Sequence, residues 1–120
     1  MKIKTTQIGN IRIAEVISEK IIINKIQDGI DLLADLYYQD FDKIIIYEKN
    51  ITTDFFDLKT GIAGEILQKF SNFRVKLAII GDFSKYTSKS IQDFIFESNK
   101  LGQIIFVTTA KEAIERFSKN

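Results

Sequence analysis

The sequence contains no histidine and no cysteine. An imidazole base, a thiolate nucleophile, a disulfide and an ordinary zinc site are therefore all excluded. A hydrolase triad that uses histidine is excluded for the same reason. We expect no metal site and no cofactor, and we favour a binding protein over an enzyme, while enzymatic activity stays open.

A strong charge of one sign and long apolar runs are also lacking. The formal net charge is +1, with 17 basic and 16 acidic residues and no long run of like charge. A broad basic surface for nucleic acid is therefore not expected. No apolar run approaches the roughly 20 residues of a membrane-spanning helix, and the first residues lack the apolar core of a signal peptide. We expect a soluble, cytoplasmic protein that binds neither nucleic acid nor membrane.

The composition is that of one ordinary globular domain. Of the 120 residues, 45% are hydrophobic and 28% are charged. A chain of this length can form a core of its own, and no linker, repeat or low-complexity segment interrupts it. We therefore treat residues 1–120 as a single domain.

Five segments have the patterns of strands. Residues 2–8 and 11–17 are joined by Gly9-Asn10, which predicts a hairpin because both residues tolerate positive φ. Continuous apolar runs follow at residues 43–47, 75–80 and 103–108. These runs are short enough for buried strands and are bounded by polar turns.

Helical periodicity separates the strands. The first helix begins at Asp28 and carries apolar residues at helical spacing as far as Phe41. A second helix lies within residues 52–70. A third covers residues 90–101, with Leu101 on its apolar face and Gly102 as a left-handed cap. The capping box at residues 109–112 begins the last one.

The resulting order is β-β-α-β-α-β-α-β-α. Apolar strands separated by helices favour right-handed crossovers and a parallel sheet, and the hairpin would form a more exposed antiparallel edge. The predicted fold class is α/β: a single three-layer-like domain with a mixed, mainly parallel sheet and about four helices.

The stretch TTDFFDLKTGIAGEILQKF, residues 52–70, is the first candidate site. It is a loop that turns into an amphipathic helix at the carboxyl ends of the strands, where α/β sheets usually bind ligands. Asp57 is expected to cap that helix and Thr60 to lie in its first turn, where a phosphate on the hydroxyl would be favoured. Alternatively, both residues only cap, and Gly61 and Gly64 permit close packing of helix on sheet.

A second candidate is the polar loop GDFSKYTSKS that follows the fourth strand. Its backbone N–H groups, hydroxyls and lysines precede a helix and could hold an anion. The loop matches neither the P-loop nor the dinucleotide fingerprint. The alternative is an N-capped loop with solvated lysines. The candidate binding residues here are Asp82, Lys85, Tyr86 and Lys89.

Four carboxylates, those of Glu48, Asp54, Asp57 and Asp82, lie at the strand ends or in the loops. An acid pair or a Mg²⁺ site would need them within a few ångströms of one another. Loop carboxylates more often cap helices and form turns, so no catalytic residue and no metal ligand is assigned. Asp54 stays a candidate for interaction.

Three phenylalanines are candidates for a partner surface. Phe96 lies nearly opposite the apolar face of the third helix, and Phe55 and Phe56 are adjacent in a loop, where both are not expected to point inward. Exposed aromatic side chains favour protein partners. The alternative is that these rings pack against neighbouring elements.

The segments ITTDFFDLKTGIAGEILQKF, VKLAIIGDFSKYTSKSIQDFIFESN and QIIFV closely resemble the bacterial family called domain of unknown function 4180. The resemblance covers nearly the whole chain, and its most specific parts are FFDL-TG-AGEILQKF and GDFSKYTSKS. The family name implies no activity.

The order of elements is also similar to that of STAS domains, the anti-sigma-factor antagonists. In those domains a D-S-x-G-type turn opens a helix, and a kinase that is also the anti-sigma factor phosphorylates the Ser or Thr. Aligned on Gly61, this chain has Thr60 as the hydroxyl residue, but Leu58 stands where the aspartate is expected. The resemblance implies phosphorylation at Thr60 and a regulatory kinase or anti-sigma-like factor as the partner.

Two functional hypotheses follow. The first is a STAS-like regulatory interaction module that binds a protein partner and is switched near Thr60. The alternative is a small-anion or nucleotide-binding protein, or an enzyme, in which lysines hold an anion and Asp82 or Glu48 acts as a base. A homodimer that pairs through an edge strand or the Phe96 face is compatible with the first.

Overall fold

The computed structural model describes residues 1–119. It begins with the predicted hairpin, formed by strands β1 (Lys2–Ile8) and β2 (Ile11–Ile17). Gly9, with φ 58°, is the first residue of the two-residue turn. Glycine in that position gives the turn a twist that matches the twist of the strands.

The remaining elements follow the predicted order. Helix α1 precedes β3, helix α2 precedes β4, α3 precedes β5, and α4 closes the chain. Short 3-10 turns fill the connection between β3 and α2. The bounds are α1 Ile26–Tyr37, β3 Lys43–Tyr47, the turns Glu48–Asn50, Thr53–Phe56 and Leu58–Thr60, α2 Ile62–Asn72, β4 Lys76–Ile80, α3 Lys89–Leu101, β5 Ile104–Val107 and α4 Ala110–Ser118.

The sheet has the strand order β1-β2-β3-β4-β5, and every pair except β1 with β2 is parallel. Consecutive parallel strands joined by right-handed crossovers place all their helices on one face. Helices α1, α2 and α3 accordingly pack with one cluster of strand side chains, and α4 packs with the cluster on the other face through Ala113 and Phe117. The three layers predicted from sequence are confirmed.

The core explains why the parallel strands are continuously apolar. In β3, Ile44 and Ile46 belong to the larger cluster and Ile45 to the smaller one, and none of the three is accessible to solvent. A strand that is covered on both faces favours apolar side chains at successive positions. The buried strands therefore carry the connecting loops at their carboxyl ends.

Some boundaries differ from the sequence predictions. Helix α1 begins at Ile26, and the Asp28 carboxylate accepts the N–H groups of Asn24 (3.0 Å) and Lys25 (3.1 Å). Phe41 lies beyond the end of α1 and is buried, whereas Leu101 is 79% exposed at the end of α3. In the first case the helical spacing continued past the end of α1, and in the second the last residue of α3 lies outside the core although its spacing fits the apolar face.

Within residues 1–119, no helix has the length and apolar character required to span a membrane.

Candidate functional site

The two candidate loops meet at the carboxyl end of the parallel strands. The ring of Phe56 stacks on that of Tyr86, with centroids 4.3 Å apart and 14° between the planes. Phe83 lies 5.9 Å from Phe56 and 5.2 Å from the buried Phe106 of β5. We call residues 54–64 and 81–89, which this aromatic contact joins, the carboxyl-edge site.

The expectation that Phe55 and Phe56 do not both point inward was wrong, and the alternative, that they pack against neighbouring elements, is what the structure has. Phe55 is fully buried and Phe56 is 6% exposed, whereas Phe96 is 66% exposed. Thr53–Phe56 is a 3-10 turn, in which adjacent residues are about 120° apart, so that both rings reach the core. Phe56 therefore acts as an anchor between the loops, and of these three phenylalanines Phe96 alone is exposed.

Thr60 is exposed, and its hydroxyl closes the loop of residues 54–61, which we call the junction loop. Its Oγ1 lies 2.8 Å from the carbonyl oxygen of Asp54 and 2.9 Å from that of Asp57, so that one proton serves two acceptors. The same oxygen accepts the N–H of Ile62 at 3.3 Å. The hydroxyl thus connects the turns Thr53–Phe56 and Leu58–Thr60 to Ile62, the first residue of α2.

Asp57 and Thr60 do not have the helical positions predicted for them. The Asp57 carboxylate accepts the N–H of Lys59 at 3.2 Å and caps the 3-10 turn that Thr60 ends. Helix α2 begins after Gly61, whose φ of 78° lies in the left-handed region. Glycine is the residue best suited to this conformation, because it has no Cβ.

Close packing does not explain Gly64. This residue is exposed, and a Cβ built on it would meet no atom within 4 Å. The backbone of α2 is therefore open to solvent at its first turn.

In the second loop, Lys85 and Tyr86 both bind the carboxylate of Glu48. Lys85 Nζ lies 2.7 Å from Oε2, and the Tyr86 hydroxyl donates to the same oxygen at 2.6 Å. Burial, and then the hydrogen bond to Glu48, raise the pKa of Tyr86 well above its ordinary value. Tyr86 therefore keeps its proton, and its hydrogen bond to Glu48, at alkaline pH values at which an ordinary tyrosine ionises.

Neither predicted anion-binding lysine lacks a counter-charge. Lys85 is paired with Glu48, and Lys89 Nζ lies 2.9 Å from Asp93 Oδ2. The Asp82 carboxylate accepts both the hydroxyl (2.7 Å) and the N–H (3.1 Å) of Ser84. These hydrogen bonds hold the pKa of Asp82 below its usual value. The polar groups of this loop thus bind carboxylates of the protein itself, those of Glu48, Asp82 and Asp93.

Gly81 makes room for Glu48. A Cβ at Gly81 would lie 2.6 Å from Glu48 Oε1 and 2.7 Å from Glu48 Cβ. The two residues follow Ile80 and Tyr47, which are paired in the parallel register. The sequence placed Glu48 among possible acids, but its role as the acceptor that organises the second loop depends on residues far along the chain.

Two open cavities flank the Phe56–Tyr86 stack. One, of about 330 Å³, includes Glu48, Thr52, Thr53 and Lys85 in its lining. The other, of about 290 Å³, is lined by Phe56, Asp57, Leu58, Lys59, Ser88 and Ser90. Both cavities have polar and charged side chains in their lining.

The four candidate carboxylates do not form a metal centre. Residues 1–119 contain no group of three or more acidic side chains positioned to hold a metal ion. Glu48 binds Lys85 and Tyr86, while Asp57 and Asp82 cap turns and Asp54 is exposed. The expectation that loop carboxylates serve as caps holds for Asp57 and Asp82.

Neither the curated proteins nor the solved structures include a match to this chain. The family model described as "Domain of unknown function (DUF4180)" matches residues 8–117. That match runs from the end of β1 to α4 and includes both loops of the carboxyl-edge site. The chain therefore belongs to the DUF4180 family.

Proposed function

We propose that this protein is a cytoplasmic, STAS-like regulatory module that binds a protein partner through the carboxyl-edge site and is switched by phosphorylation of Thr60. The observation that carries the proposal is the position of the Thr60 hydroxyl, which is exposed and also closes the loop. A kinase can reach it, and its modification changes the shape of the surface.

Phosphorylation would replace this hydrogen-bond donor with a group that carries only acceptor oxygens. The proton that Asp54 and Asp57 now share through their carbonyl oxygens would be lost, and phosphate oxygens would face those acceptors instead. The nearby carboxylates of Asp54 and Asp57 add repulsion. The N–H of Ile62, at the start of α2, is in place to hold the new anion. The loop would therefore lose its hydrogen bonds to the carbonyl oxygens of Asp54 and Asp57 and keep a contact with the N–H of Ile62.

The order of elements supports the same proposal. The order of elements along the chain, with a strand followed by a turn that opens the second helix, is the feature on which the resemblance to STAS domains rests. The partner would then be a regulatory kinase or an anti-sigma-like factor. Leu58 in place of the aspartate of the STAS turn means that such a partner must recognise a different turn, closed by Thr60 itself.

The test uses substitutions at Thr60 in the host of the protein. Thr60→Ala and Thr60→Glu are compared with Thr53→Glu, which adds the same charge to an exposed threonine on the same edge. We expect a protein that co-purifies in stoichiometric amount to be retained by Thr60→Ala and Thr53→Glu and lost by Thr60→Glu. Native mass spectrometry of the wild type should show a fraction heavier by one phosphate at Thr60. Equal binding by all variants would contradict the switch.

The alternative function is binding of a small anion or nucleotide at the same edge, with or without catalysis. The cavity beside Glu48 and Lys85 favours it, because a ligand phosphate could displace the Glu48 carboxylate from Lys85. Freed Glu48 would then be available as a base. A thermal-shift screen with nucleotides and phosphorylated metabolites tests this. Stabilisation that Lys85→Met abolishes would support it, and no shift at saturating concentrations would exclude it.

A further inference from the structure

The two outer edges of the sheet differ in whether their outward backbone groups have hydrogen-bond partners. At the β5 edge, the side-chain amide of Asn99 accepts the N–H of Phe106 at 2.7 Å and donates to its carbonyl oxygen at 3.3 Å. Asn99 thereby supplies the hydrogen bonds that a further strand would supply. A second strand is thus blocked at this edge, and the blocking residue is held by Arg116, which donates to the Asn99 carbonyl oxygen at 2.8 Å.

The β1 edge has no such cover. β1 is seven residues long, and no residue of 1–119 outside the hairpin is hydrogen-bonded to it. In a hairpin with a two-residue turn, the flanking residues Ile8 and Ile11 form a hydrogen-bonded pair. Alternation then directs the backbone groups of Ile3, Thr5 and Gln7 away from β2. Their N–H and C=O groups form a row along the outer edge.

We propose that two copies of this chain associate through their β1 strands, antiparallel and centred on Thr5, so that the two sheets become one continuous sheet. A two-fold axis at Thr5 pairs Thr5 with Thr5 of the second copy and Ile3 with Gln7. These residues are the outward-facing ones, so each pair exchanges two backbone hydrogen bonds, about six in all. The pairing uses every free backbone group in the row.

The side chains agree with this register. On one face, Lys2 would lie opposite Ile8 and Lys4 opposite Thr6, so no lysine directly faces a lysine. On the other face, Thr5 meets Thr5, a pair that is favourable across strands. Ile8 is 38% exposed, and the aliphatic stem of Lys2 from the second copy would cover part of it.

Neighbouring registers are poorer. Centring on Lys4 would place Lys4 opposite Lys4, and like charges directly opposite each other are destabilising. Centring on Thr6 would leave Ile3 facing Gly9 of the turn, so that one of the outward pairs is lost. Lysines on an edge strand often prevent association. Here their positions disfavour the register centred on Lys4 and permit the one centred on Thr5.

Cysteine cross-linking tests both the dimer and its register, because the chain has no cysteine of its own. In the proposed pair the two Thr5 Cα atoms are about 5.5 Å apart, which is within the range of a disulfide. Thr5→Cys should therefore form a covalent dimer under mild oxidation faster than Lys4→Cys, Thr6→Cys or Thr53→Cys. Thr53 is exposed in the turn Thr53–Phe56, outside β1, and serves as the background control. Faster cross-linking at Lys4 or Thr6 would overturn the register.

Sedimentation velocity of the unmodified chain, from about 1 µM to about 1 mM, measures the association itself. We expect a concentration-dependent dimer that Thr5→Pro removes. The Thr5 N–H points outward, so proline costs no hydrogen bond to β2 and is compatible with an edge strand. Circular dichroism should show that the fold is kept. A wild type that stays monomeric over the whole range, or a dimer that folded Thr5→Pro retains, would overturn the proposal.

Discussion

Gly81 and Glu48 lie side by side at the ends of two neighbouring parallel strands, so close that a Cβ on Gly81 would come within 2.6 Å of Glu48 Oε1. The Glu48 side chain is only 12% exposed, and its carboxylate accepts from both Lys85 and Tyr86. One residue without a side chain thus allows a carboxylate to organise the loop that follows it.

Gly81→Ala should therefore destabilise the protein by about 1–3 kcal/mol, as overpacking commonly does. It should also displace Glu48 and loosen the second loop. The matched control is Gly64→Ala, since a Cβ there meets nothing within 4 Å and lies within α2. The control should stabilise by about 0.5–1 kcal/mol because alanine favours helix. Urea denaturation measures both, and equal effects would show that the contact at Gly81 is unimportant.

Tyr47 should make the free energy of unfolding fall at alkaline pH. Its hydroxyl donates to Glu15 Oε2 at 2.6 Å. Burial, and then the hydrogen bond and the charge of Glu15, raise the pKa of Tyr47 from 10.0 to about 12. Because the pKa is higher in the folded state than in the unfolded state, this contribution is fully present below pH 10 and is lost as pH rises towards 12.

The free energy of unfolding, measured between neutral pH and pH 12, should accordingly fall less steeply in Tyr47→Phe than in the wild type. Tyr38→Phe is the control, because Tyr38 is 80% exposed. Its pH profile should match that of the wild type. Parallel profiles for all three proteins would show that Tyr47 does not contribute to this dependence.

The Thr60 hydroxyl should contribute to stability apart from any regulation. Thr60→Ala removes the donor shared by the Asp54 and Asp57 carbonyl oxygens and should cost about 0.5–1.5 kcal/mol. Thr60→Ser keeps the hydroxyl and should be close to the wild type. In Thr60→Ala, the amide proton of Ile62 should exchange faster than in the wild type, where this N–H is bonded to the Thr60 hydroxyl. A Thr60→Ala protein with unchanged exchange would show that the hydroxyl does not close the loop.

Asn99 should be costly to remove, because its amide satisfies both backbone groups of Phe106. Asn99→Ala leaves those groups unpaired at a half-buried edge and should destabilise by about 1–3 kcal/mol. It should also open a second edge and promote aggregation. Gln92→Ala, on the exposed face of the same helix, is the control and should change neither property. Light scattering and urea denaturation together separate the two effects.

Much of the fold could be predicted because the signals are local. The isoleucine run of β3 indicates a strand buried on both faces, and Gly9-Asn10 indicates the hairpin turn. Thr109 accepts the N–H of Glu112 at 3.1 Å, as the capping pattern predicts. Each of these features depends on residues within a few positions of one another, so periodicity and turn chemistry suffice to find them.

The sequence by itself also determined which chemistry is absent: without histidine and cysteine, whole classes of catalytic and zinc site were excluded. It could not decide which polar groups meet. Glu48 and Tyr86 are 38 positions apart, and Phe56 stacks on the ring of Tyr86, which follows the next strand. Only the parallel register of β3 and β4 brings these residues to one edge. Burial of Phe56, the pairing of Lys85 and the space beside Gly81 are consequences of that register, because long-range packing decides which side chains share a surface.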